Sequence, residues 1–266
     1  MSLTINHQTN DISDATGFVK LNGTIVGTDN TPVWFGSRGV FGGGSSTTDV
    51  IDYVTIASTG NATDFGNLSV GRVYLAAVSN STYGVFGGGF TGAYQNVLDY
   101  VTITTAGNAA DFGDLTVGRE SLAGASGGTY GLFAGGRASG GSAQDVIDYI
   151  TVATPGNATD FGNLLAAQYA LTGTGIDSRC LFAGGNNSNV IQYVAPSTPG
   201  NATDFGDLTA SLSYLAATNN ASRAIFGGGG SSTNVIAYVT ISTTGNATDF
   251  GDLTVGRAGL GSTSGT

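Results

Sequence analysis

Few residues in this chain can do acid–base, nucleophilic or metal chemistry. In 266 residues, His7 is the single histidine, Glu120 the single glutamate and Cys180 the single cysteine. His7 sits in the polar opening "MSLTINHQTND", so a Ser–His–Asp or Cys–His arrangement would have to reach outside the patterned part of the chain. A zinc site of His and Cys ligands lacks its donors. Asp52, Asp99 and Asp148 could in principle pair as general acid and base. They share one phase of a repeat, however, and equivalent positions in separate units are first of all structural. "NATDFGD" (201–207) offers Asn201, Asp204 and Asp207, oxygen donors of the kind Ca²⁺ prefers. The spacing is not that of an EF-hand, and turn capping accounts for the same residues, so no cofactor is expected and calcium stays as the alternative. "FGGG" is not a phosphate cradle, because no Gly-Lys-Ser/Thr follows and no helix is predicted to receive it. The expectation is a protein that is not an enzyme. Cys180 stands in an apolar run where other repeats carry Gly or Ala, which predicts a buried, inert thiol.

The elements that would position any site are written as a repeat. "GNATDFG" at Gly60 returns with small changes, aligning Asp64, Asp111, Asp160, Asp204 and Asp249 at spacings of 47, 49, 44 and 45 residues. In the same phase run "GVFGGG" (39–44 and 84–89), "GLFAGG" (131–136), "CLFAGG" (180–185) and "AIFGGG" (224–229). Each is followed by an alternating stretch such as "VIDYVTI" (50–56) or "VLDYVTI" (97–103), and a small-residue run such as "YLAAVS" (74–79) precedes each later one. Short Val-, Ile-, Tyr- and Phe-rich runs bounded by Gly, Asn, Ser and Thr predict strands, four to a unit. Four strands recurring every 44–49 residues is the period of a propeller blade. Phe65, Phe112, Phe161, Phe205 and Phe250 are predicted to fill the gaps between blades, with Tyr53, Tyr100, Tyr149, Tyr193 and Tyr238 repeating in the strand before. "GNATD" reads as a polar turn whose Asn and Asp bond nearby amides.

The predicted fold is therefore all-β: a five-bladed propeller of four-stranded antiparallel blades over 38–266, preceded by an extended N-terminal arm, 1–37. The C-terminal "GRAGLGSTSGT" joined to "RGVFGGG" reproduces "GRVYLAAVSNS" joined to "TYGVFGGG", so the C-terminal strand is expected to complete blade 1. Closure leaves no long sheet edge exposed. A formal net charge of −10 and one lysine, Lys20, argue against nucleic-acid partners, whose phosphates need Lys and Arg. The opening residues carry no apolar signal core and no run is long enough to span a bilayer, so a soluble, cytoplasmically made protein without membrane insertion is expected.

The ordered set Arg72, Gly87–Gly88, Tyr100 and Phe112 resembles the kelch family of propellers over about 39–266. Phe stands where kelch repeats place Trp, and Arg119 and Arg257 keep the arginine that becomes Gln168 and Leu212 elsewhere. That resemblance implies the fold and little about activity, since kelch-like propellers serve as adhesion modules, adaptors and occasionally enzymes. Repeats such as "YVTI…TGNATDFGDLT" followed by "GVFGGG" also resemble those of structural proteins of tailed bacteriophages, tail-fibre or capsid-associated. "TNDISDATGFVKLNGTIVG" (9–27) is similar to the arms by which such proteins attach to the particle. The resemblance implies a virion location, attachment to other virion proteins through the arm, and homo-oligomerisation on the particle. Trp34 and Phe35 are the expected anchoring residues, packing the arm onto blade 1 or against a partner.

The loops between second and third strands vary most between units, and in propellers they gather on one face with the loops between blades. Phe90, Tyr94, Gln95, Arg137, Asn186 and Asn187 are the candidate ligand residues there. Exposed rings beside amides and hydroxyls suit carbohydrate, so a host-adhesive protein binding surface polysaccharide is the leading expectation. The alternatives are a decoration or connector protein that binds other virion subunits through the same face, and a propeller-borne glycan hydrolase or Ca²⁺-dependent lectin.

Overall fold

The computed structural model describes residues 38–262, together with the backbone of four short strands before them. Trp34 and Phe35 lie outside the described residues. The chain divides into two compact units, Met1–Val33 and Trp34–Thr266. In the first, β1 (Thr4–Asn6) pairs antiparallel with β2 (Asp11–Ser13), and β3 (Lys20–Leu21) with β4 (Thr24–Ile25).

The second unit is the five-bladed propeller. Blade 1 holds β5 (Arg38–Gly42), β6 (Val50–Thr55) and β7 (Thr63–Asn67). Blade 2 holds β8 (Ala76–Ser79), β9 (Tyr83–Gly87), β10 (Val97–Thr102) and β11 (Ala110–Asp114). Blade 3 holds β12 (Ala123–Gly127), β13 (Tyr130–Ala134), β14 (Gln144–Thr151) and β15 (Thr159–Gln168). Blade 4 holds β16 (Thr172–Ile176), β17 (Arg179–Ala183), β18 (Ser188–Val194) and β19 (Thr203–Leu212). Blade 5 holds β20 (Ala216–Asn219), β21 (Arg223–Gly227), β22 (Val235–Thr240) and β23 (Thr248–Asp252). Within each blade the strands pair antiparallel in chain order, the expected four-stranded plan. Among the described residues blade 1 has three strands. Residues 263–266, the last part of the strand expected to complete it, lie outside them.

The core is laid down between blades. Val78, Val85, Leu98 and Phe112 of blade 2 pack with Phe133, Ile150 and Val152 of blade 3, and corresponding clusters join blades 1 and 2, 3 and 4, and 4 and 5. Close approach in blade 2 needs a missing side chain at the end of its second strand. A Cβ on Gly87 would stand 2.7 Å from the Phe133 ring of the next blade.

The motif "GNATDFG" is the lock of that interface. A bulge between Leu98 and Asp99 pairs Leu98 with Gly113 and Asp99 with Asp111, leaving Phe112 as the extra residue of its strand. The same register shift recurs in all five blades. Bulging turns the ring out of the ladder and toward the neighbouring blade. Phe65, Phe112, Phe161 and Phe205 are thereby buried, each edge-to-face on its repeat tyrosine at 5.6–5.9 Å. Phe250 keeps its edge-to-face contact with Tyr238 but is exposed, because no blade covers it among the described residues.

The asparagine works across blades, which departs from the expected local turn. Asn157 Oδ1 accepts the Asp114 N–H of the preceding blade at 3.0 Å, flanked by Gly156 N–H to the Phe112 carbonyl and Ala158 N–H to the Asp114 carbonyl. Asn108, Asn201 and Asn246 repeat the arrangement. The aspartate does act locally: Asp111, Asp160 and Asp249 accept the N–H two residues on.

Buried polar pairs seat the innermost strands. Arg72, just before β8, bonds Asp99 on β10 at 2.8 Å, and Arg119, just before β12, bonds Asp148 on β14 at 2.9 Å, all four fully buried. In blade 4 the same two positions are Gln168 and Gln192, whose amides meet at 3.2 Å, and in blade 5 they are Leu212 and Ala237. A buried charge is tolerated only when paired and hydrogen-bonded, so the two positions must match in kind. Burial pulls the Arg119 guanidinium below its ordinary value, against the opposing effect of Asp148.

Candidate functional site on the loop face

The turn that leads into each innermost strand carries a residue in the left-handed region: Tyr74, Ser121, Ala170, Tyr214 and Gly259, with φ between 52° and 65°. Such a conformation is uncommon outside glycine. Its recurrence makes it a property of the fold, and the side chain is what varies. Each of these turns bonds the one before it: Ser121 N–H to the Tyr74 carbonyl, Ala170 to Ser121, Tyr214 to Ala170 and Gly259 to Tyr214, at 2.8–2.9 Å. The bonds run around the axis and frame a cavity of about 240 Å³, floored by Leu75, Leu122, Leu171, Leu215 and Leu260. At its mouth stand two exposed rings, Tyr74 and Tyr214.

Beside this mouth lies a charged aromatic patch. The Arg137 guanidinium sits 3.9 Å above the Tyr169 ring, and its Nη1 is 3.8 Å from Glu120 Oε1. Burial lowers the Arg137 pKa, but Tyr169, Glu120 and Tyr214 outweigh it and raise the value, so the cation persists. Its Nε is buried with no hydrogen-bond partner in the structure.

The structure separates the candidate ligand residues into two groups. Phe90 and Tyr94 pack edge-to-face at 5.2 Å and bridge across their own loop, while Gln95 donates to Thr91 Oγ1 and the Ala93 carbonyl. This group is occupied in shaping the blade 2 loop. Arg137, Asn186 and Asn187 converge instead on the turns of blades 4 and 5. Asn186 Oδ1 accepts the Tyr169 N–H, and the Asn187 N–H donates to Ser213 Oγ, next to Tyr214. Tyr74, Tyr169 and Tyr214 were missed by sequence reasoning. Tyr74 and Tyr214 open the "YLAA" runs, whose composition signals a channel-lining strand and conceals that the first residue stands at the channel mouth.

Of the possible calcium donors, Asn201 Oδ1 already accepts the Asn163 N–H across the blade interface. Among the described residues no three His, Cys, Asp or Glu side chains gather as a metal site. Cys180 is fully buried, and burial, with Asp177 adding to it, pushes its thiol up to about 12. Among the described residues no helix is long and apolar enough to cross a membrane. No protein-family model and no curated protein matches the chain.

Proposed function

We propose that this protein is a non-enzymatic structural protein of a bacteriophage particle, displayed outward, whose loop face holds a cell-surface glycan. The observation that carries the binding half is the axial mouth: two exposed tyrosines at a leucine-lined cavity of about 240 Å³ whose surface is as polar as apolar, with Arg137 and Tyr169 beside it. Aromatic faces stack on the C–H faces of sugars, while a fixed guanidinium bonds hydroxyl or carboxylate groups of an acidic polysaccharide. The particle half is supported by the repeat wording, with the N-terminal unit as the attachment to other virion proteins and copies assembling side by side.

The test is binding of the purified protein to host envelope polysaccharide by calorimetry, comparing the native protein with Tyr74→Gly/Tyr214→Gly. Glycine is accommodated at this turn, as Gly259 shows, so the fold is retained. The expected result is saturable binding that the double substitution weakens at least tenfold. Absence of binding, together with a loop face sealed against other subunits in images of the particle, would replace adhesion by the connector role.

A further inference from the structure

One pair of positions recurs in four blades and carries charge in only one. The residue before each left-handed turn is joined by a backbone hydrogen bond to the loop after a second strand: Val73 to Phe90, Glu120 to Arg137, Tyr169 to Asn186 and Ser213 to Gly230. The fold uses the main chain at these places, and apolar, polar and missing side chains serve it equally. The charged pair of blade 3 therefore answers to something other than folding.

Glu120 and Arg137 do not close on each other as the buried pairs do. Arg72–Asp99 and Arg119–Asp148 meet at 2.8 and 2.9 Å with all four side chains wholly buried. Arg137 Nη1 stays 3.8 Å from Glu120 Oε1, beyond hydrogen-bonding distance. The Arg137 side chain is 31% exposed and that of Glu120 10%, so the cation is the member turned to solvent. Stacking at 3.9 Å on the Tyr169 ring of the next blade holds the guanidinium in place, and its Nε finds no hydrogen-bond partner in the structure. No internal hydrogen bond accounts for an arginine here. A guanidinium presents its donors in a planar fork that matches the two oxygens of a carboxylate, and a fork already held loses little freedom on binding.

We infer that Arg137 is a carboxylate subsite, and that the glycan at the axial mouth presents an acidic sugar residue to it. This rests on the loop-face reading above, because the mouth places the sugar. Glu120 and Tyr169 immediately precede Ser121 and Ala170, two of the turn residues that line the mouth. Tyr214, whose ring is exposed there, lies close enough to Arg137 to act on its charge. A glycan seated on Tyr214 thus passes Arg137. Glu120 is a positioning residue, steadying the guanidinium over Tyr169 from its covered side.

The test is calorimetry of the full chain with host envelope polysaccharide, before and after chemical reduction of its carboxylates to primary alcohols. Salt at about 0.15 M screens the net charge of −10 beyond about 8 Å. Reduction removes the charge and keeps the sugar rings, and the native protein is expected to bind the reduced form at least tenfold more weakly. Asn186 holds the corresponding place in blade 4, so Arg137→Asn retains the fold, with Tm within about 4 °C of native. That variant is expected to bind the untreated polysaccharide at least tenfold more weakly and the reduced form as the native protein does. Arg137→Lys, a point charge without the fork, is expected to recover less than half of the loss. Tyr74→Gly/Tyr214→Gly weakens binding of both forms, which separates the two readings. Equal native affinity for both forms, or an Arg137→Asn protein that binds as the native one does, overturns the carboxylate subsite and leaves glycan binding standing. Poly-L-glutamate bound as tightly as the polysaccharide overturns the assignment to a sugar. No binding of either form overturns both readings.

Discussion

Converting the Arg119–Asp148 pair into the glutamine pair of blade 4 isolates what seats an innermost strand. In Arg119→Gln, Asp148 keeps its two bonds from Thr116 but loses its counter-ion, and the bond from the guanidinium to the Phe133 carbonyl at 3.1 Å is lost as well. Breaking a buried pair from one side costs about 3–5 kcal/mol. Asp148→Gln leaves Arg119 fully buried with only carbonyls at Val117 and Phe133, and its cost falls in the same range. In the double variant the blade 4 geometry is available: Gln192 Oε1 accepts the Leu165 N–H at 2.7 Å while its amide donates to Gln168. Two glutamines nearly fill the volume of an arginine and an aspartate, and replacing both partners of a buried pair is often close to neutral, so a net loss of about 1–2 kcal/mol is expected. With roughly 2–4 °C of Tm per kcal/mol for a domain of this size, each single change lowers Tm by about 6–20 °C and the double by less than about 8 °C. Thermal and urea unfolding of the four proteins give the coupling energy directly. If the double variant loses as much as the two single ones together, the positions are not matched in kind and the pairing rule is wrong.

Three further outcomes are expected. Gly113→Ala would place a Cβ 2.6 Å from the Gly156 carbonyl at a backbone φ of 140°, so a Tm loss of at least about 5 °C is expected. Gly156→Ala, on the other side of the same contact, faces open space and should change Tm by no more than about 2 °C. Asn157→Ala removes the acceptor of the Asp114 N–H and should cost about 1 kcal/mol in urea unfolding, with Asn157→Asp recovering most of it. Cys180, pushed up to about 12 from 9.0, holds its proton in the folded protein at pH values where the unfolded chain releases it. Its contribution is therefore intact below pH 9.0 and falls with rising pH above it, by about 1.4 kcal/mol per pH unit. The difference in urea midpoint between the native protein and Cys180→Ala should shrink between pH 8 and 10 accordingly, and the native thiol should resist disulfide reagents until the protein unfolds.

Blade number, strand order and the places of Phe, Tyr and paired Gly were legible because they depend on local alternation and turn chemistry repeated in phase. Arg72, Asp99, Gln168 and Gln192 could each be placed in their repeats, but not beside one another, since that needs the register of first against third strand within a blade. The loop-face candidates were half legible for a related reason. Loop length marked Phe90 and Tyr94 as variable, and only packing shows that the two rings satisfy each other.

By itself, the sequence determined an all-β chain of five similar four-strand units and a chemistry poor in histidine, cysteine and glutamate. The tertiary structure decided which repeated residues act between units: Asn157 meets an amide 43 residues away, and Tyr74 and Tyr214, 140 positions apart, share one mouth. The physical reason is that blades are bound face to face around an axis. Strand formation is encoded within a few residues, whereas a residue's partner in the next blade follows only from the curvature that brings successive sheets together.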